Sequence, residues 1–104
     1  MANDLNSVYN QISAGAEALD KMTAREREQQ PYAHFGQNYN RLLGLAKSVA
    51  PQASADRWPP QLEIRAAGIN ASHVDARYVE IHSYMRELLV ILGEFYEAPP
   101  IMMA

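Results

Sequence analysis

From Val74 to Phe95 the apolar residues Val74, Tyr78, Ile81, Met85, Leu88, Leu92 and Phe95 recur at intervals of 4, 3, 4, 3, 4 and 3. A strand scatters such a pattern over both faces, whereas an α-helix gathers it into one stripe that needs another helix lying nearly parallel to it. Ser72 is placed to cap this helix, with Asp75 three residues on reaching back in the manner of a capping box. Pro99 and Pro100 close the segment and leave a short apolar tail, so the sequence reads as one helical domain over residues 1–98 and a tail over 99–104.

Two more segments carry helical spacing. Asn3 is a suitable N-cap with Asp4 in the first turn, and the stripe that follows is Leu5, Val8, Ile12, Leu19 and Met22. Gly15 interrupts it, either to admit another backbone closely or as a tolerated weak spot costing about 1 kcal/mol. After Met22 the stretch TAREREQQ has no apolar face, so it projects into solvent or frays. The second long helix can start at Pro31 and run to about Ala50, with Tyr32, Phe35, Tyr39, Leu42, Ala46 and Val49 as its seam and Leu43 widening it.

Between the second and third helices lie residues 51–72, too long for a structureless loop in a domain of this size. Trp58, Leu62 and Ile64 are its anchors. Leu62 and Ile64 alternate with Glu63 and Arg65, which reads as an extended arm; a short helix from Pro60 to Ala67, closed by Gly68, is the alternative. The expected fold is all-α: a three-helix, up-down-up antiparallel bundle carrying this ordered connector.

Several chemistries lack their residues. The 104-residue chain has no cysteine, hence no disulfide and no thiolate metal site. No Glu has a His three positions later, and none of His34, His73 and His82 has another four positions on, so neither helical metal-ligand spacing occurs. There is no Gly-x-Ser-x-Gly, and glycines 15, 36, 44, 68 and 93 are too far apart for a phosphate-binding loop. Acids and bases balance over residues 1–72, so the net charge of -3 arises in the C-terminal third, the wrong sign for a nucleic-acid surface. Leu88–Leu92 is the longest strongly apolar run, far below the roughly 20 residues of a membrane span. These features predict a soluble, cytoplasmic, non-catalytic protein without metal or cofactor.

Three polar or aromatic sets remain. His34, Asn38 and Arg41 share one face of the second helix and, with Trp58 from the connector, are the candidates for gripping a small polar ligand. Glu80, Glu87 and Glu94 form a carboxylate column on the third helix, which either is solvated or meets a basic groove. Six Tyr against two Phe put hydroxyls along the core edges, where each needs water or a partner.

The third helix is also apolar on its reverse. With Leu88 at the centre of the core face, Leu89 and Ile91 fall at its margins, while Val79, Val90 and Gly93 lie on the far side with Arg86 between them. Three helices in one monomer cannot cover both sides of one of them. The sequence therefore predicts a homodimer with Val79, Arg86, Val90 and Gly93 at its interface, acting as a small interaction or regulatory protein. The apolar tail Ile101, Met102 and Met103 is a competing cover. A small-molecule-binding bundle with a cleft rimmed by Tyr and Trp is the alternative function.

Overall fold

A computed structural model of the chain describes residues 4–66 and 72–95. Those residues are mostly helical. Helix α1 spans Leu5–Asp20, and its cap is Asp4 rather than Asn3: the Asp4 carboxylate accepts the Ser7 N–H at 2.7 Å. Val8, Ile12, Ala16 and Leu19 are its buried face. The polar stretch after Met22 does not simply fray. Thr23 and Glu26 cap each other reciprocally at the start of the single turn α2 (Ala24–Arg27), and the Arg27 guanidinium donates to the Asp20 carbonyl at 2.8 Å.

Helix α3 spans Ala33–Val49. Pro31 is not its first residue; it is buried in the segment before it, where its carbonyl accepts the Val74 N–H at 3.2 Å. Tyr39, Leu42, Leu43 and Ala46 are buried as the heptad spacing required, whereas Tyr32, at the mouth of the helix, is 72% exposed. Helix α4 spans Tyr78–Gly93 and buries Ile81, Met85, Leu88, Ile91 and Leu92. It does not start at Ser72. Residues Ser72–Val74 are extended because the Val74 N–H is bound to Pro31 and its side chain is buried, so the helix begins beyond Arg77, where the Glu80 carboxylate accepts the Arg77 N–H at 3.0 Å.

The connector is the extended arm rather than the short helix. After one 3-10 turn at Ala55–Arg57, β1 (Ile64–Ala66) pairs antiparallel with β2 (Ser72–Val74), so the expectation of a purely helical fold misses one two-stranded ladder. Tyr39 donates its hydroxyl to the Pro60 carbonyl at 3.1 Å, and Asn40 brackets Leu62 by accepting its N–H at 2.8 Å and donating to its carbonyl at 2.9 Å. The arm thus climbs back along α3 from its end to its beginning, where the Tyr78 N–H meets the Gln29 carbonyl at 3.0 Å.

That return sets the helix directions. Phe35 packs edge-on to Tyr78 with ring centroids 5.1 Å apart, and Tyr39 lies 6.1 Å from Tyr84, so α3 and α4 run the same way. Helix α1 opposes α4: Asp20 sits beside His82, Gly15 beside Met85, and Leu5 beside Phe95. The order is up-down-down, not up-down-up. Helix α3 is about 25 Å long, and a chain that starts its next helix at the same end must first cross that length in extended form. A short turn would have given an antiparallel neighbour.

Glycine marks one close approach, and it is not at Gly15: a Cβ there would make an ordinary 3.4 Å contact with Sδ and Cε of the flexible Met85 side chain, so the interruption in the α1 stripe does not bring another backbone close. A Cβ on Gly36 would overlap Cγ2 of Val74, which holds β2 against α3. Among the described residues no helix is long and apolar enough to cross a membrane.

Candidate functional site

The feature least explained by the core is the outward side of α4. Opposite its buried stripe, Val79 is 45% and Val90 is 65% exposed, and they are the only exposed large aliphatic side chains among the described residues. They lie eleven positions apart, three helical turns, so they occupy one line on the helix surface. Between them runs an open groove of about 570 Å³. Ser83 and Arg86 form its floor with the two valines, His82 stands on the margin toward α1, Glu87 and Ile91 on the other, and Arg57 reaches in from the connector.

The α1 margin is polar and tightly tied. Asp20 ends α1, where its negative charge opposes the helix dipole, and two α4 side chains offset that. Its Oδ1 lies 2.6 Å from His82 Nε2, and Arg86 Nη2 donates to Oδ1 and Oδ2 at 3.0 and 3.3 Å. The Arg86 hydrogen bond, with help from His82, holds the Asp20 carboxyl below its usual range. At the far end of the groove, Arg57 is ion-paired to Glu94, which lowers the Glu94 carboxyl and fastens the connector to the last turn of α4.

A carboxyl with a depressed native pKa adds stability above its unfolded value and loses it as acid protonates it. The Asp20 contribution is therefore intact at neutral pH and begins to be lost as pH falls below about 4. In Asp20→Asn, urea midpoints measured from neutrality down to about pH 3 should fall less steeply than in the parent chain. A parallel pair of curves would mean the contact contributes nothing.

The other sequence-selected residues are not gathered. His34 is exposed and stacks on Tyr32, with ring centroids 6.5 Å apart; Asn38 accepts a hydrogen bond from Arg41 at 2.9 Å on the same solvated face of α3. Trp58 is half-buried against the core, and none of the four borders the α4 groove. The space beneath the connector is filled by Leu62 and by the Tyr39 hydroxyl, whose burial pushes its pKa upward and keeps it a neutral donor. Of the residues expected at an interface, Val79, Arg86 and Val90 line the groove; Gly93 is exposed beyond it, with nothing within 4 Å of where a Cβ would stand.

Sequence reasoning missed Arg57, His82 and Ser83 in this groove, and it named Glu87 only as part of the carboxylate column. His82 had a readable signal, its position one turn before Arg86 on the same face, but its partner Asp20 is 62 residues away in sequence. Among the described residues no group of three His, Asp or Glu is placed to hold a metal ion. The tail at Ile101, Met102 and Met103 lies outside the described residues. No protein-family model, curated protein or solved structure matches the chain.

Proposed function

We propose that the protein is a small, non-catalytic interaction module that works as a homodimer, with a second copy covering the outward side of α4. In this reading α1, α3 and α4 form a three-helix bundle whose task is to present that helix. The observation that carries it is the pair Val79 and Val90, 45% and 65% exposed on a helix whose other side is already the core. An exposed apolar line flanked by charged groups is one of the features that mark protein contact surfaces. The absence of cysteine accords with a reducing cytoplasmic setting. A ligand cleft beneath the connector is the weaker reading, because Tyr39 and Asn40 already spend their polar groups on Pro60 and Leu62.

The test is mass in solution. Light scattering of the parent chain should give twice the 11.7 kDa of one chain at high concentration. Val79→Lys and Val90→Lys, each adding a charge to the line, should return the mass to that of the monomer while leaving the helical signal intact. A parent chain that is monomeric throughout, or a dimer indifferent to both substitutions, would refute the assignment.

A further inference from the structure

The chain leaves α4 at the end of the groove where the apolar surface is most exposed, because Val90 lies close to Phe95, at which the described residues stop. Beyond Val90 on the same outward side stands Gly93, the last residue of the helix, with nothing within 4 Å of where a Cβ would stand. No neighbour among the described residues makes use of its small size. The missing side chain leaves a strip of bare backbone between Phe95 and Val90, along which a returning chain can pass.

Residues 96–104 read YEAPPIMMA. Pro99 and Pro100 carry no N–H with which to extend α4, and no side chain after Glu97 is charged. Val90 lies about 8 Å of helix axis before Phe95. The chain from Phe95 to Ile101 can span up to about 20 Å. Ile101, Met102 and Met103 therefore reach Val90 and the groove floor at Arg86 and Ser83, whereas Val79, about 24 Å back from Phe95, lies at the limit of the tail's length.

The groove suits an uncharged segment. Its two guanidinium groups are already paired within the chain, Arg86 with Asp20 and Arg57 with Glu94, so the surface left unmatched is the apolar one at Val90. Methionine is unbranched and adapts to an open, irregular surface. A segment on so short a tether is present at an effective concentration on the order of millimolar, so a contact too small to hold two molecules together forms within one.

We infer that Ile101, Met102 and Met103 fold back past Gly93 and cover the Val90 end of the groove in the same chain. The tail and a second copy then compete for Val90, and this competition rests on the homodimer reading above: association requires release of the tail.

Because the chain has no cysteine, a pair of introduced thiols reports the contact. Val90→Cys with Met102→Cys, oxidised mildly at a dilution where the chain is monomeric, should close a disulfide within one molecule, which needs Cα atoms roughly 4.4–6.8 Å apart. Tethering alone brings the thiols together at some rate, so the decisive comparison adds Ile101→Ser and Met103→Ser to the same pair. The tether is then unchanged and the apolar contact is lost, and closure should slow about tenfold. An unchanged rate, no closure, or disulfides that join two molecules instead would each overturn the inference. The competition is read separately in a chain without thiols: Ile101→Ser, Met102→Ser and Met103→Ser together should move the onset of the double mass in light scattering to a lower concentration. If closure depends on Ile101 and Met103 but the triple variant never exceeds the mass of one chain, the tail contact stands and the homodimer falls. A dimer whose onset the triple variant leaves in place overturns the competition.

Discussion

Gly36→Ala should lower the unfolding free energy by about 1–3 kcal/mol, although alanine is the better helix former by about 1 kcal/mol. The new methyl group would overlap Val74 Cγ2, and Val74 cannot swing away: its side chain is fully buried and its N–H is tied to the Pro31 carbonyl. Either β2 lifts from α3 or the helix shifts, and both loosen the start of α4. Val74→Ala alone should also destabilise, by opening a cavity. The double variant should be more stable than the sum of the two losses, because each removes the other's steric problem. Additive losses in urea denaturation would show that the methyl group is accommodated elsewhere.

The second large effect is expected at Asn40. Its side chain treats Leu62 as a neighbouring strand would, taking the N–H and giving to the carbonyl, in a half-buried position between α3 and the connector. Asn40→Leu keeps the bulk and removes both bonds, leaving two backbone groups poorly served. The expected loss is about 1–3 kcal/mol. A limited-proteolysis experiment distinguishes a local from a global effect: cleavage within residues 51–63 should accelerate before the helices yield. Unchanged cleavage and an unchanged midpoint would mean that water replaces Asn40 without cost.

Those two positions also show what could be read from the sequence. The core face of each long helix was legible, because Ile12, Leu19, Tyr39, Leu42, Ile81, Leu88 and Leu92 repeat with the helical period and are all buried. The exposed line at Val79 and Val90 was legible for the same reason, by falling where that period puts solvent. Helix starts were not. Ser72 with Asp75 is a sound local cap signal, yet the ladder to β1 and the bonds from Val74 to Pro31 and from Asp75 to Glu63 hold that stretch extended, and local propensity gives way to them. The mutual direction of α3 and α4 was available in principle, because a connector of 22 residues is what a parallel neighbour demands, but periodicity alone does not state it. The Asp20, His82 and Arg86 cluster joins residues more than 60 positions apart, which no spacing rule reaches.

The return of the connector along α3 has a kinetic side. In a bundle joined by short turns, each helix docks on one that has just been made, and most contacts are local. Here α4 must find α1 across the longest separations in the chain, as in Asp20 with Arg86 and Leu5 with Phe95, after the arm has been laid down. Loop-closure entropy is therefore met before the largest helix pair returns any stabilisation, and the folding limb of a chevron plot should be slower than is usual for a helical protein of this length. Substitutions at the interface between α1 and α4 should then mainly speed unfolding, and those anchoring the arm to α3 should slow folding.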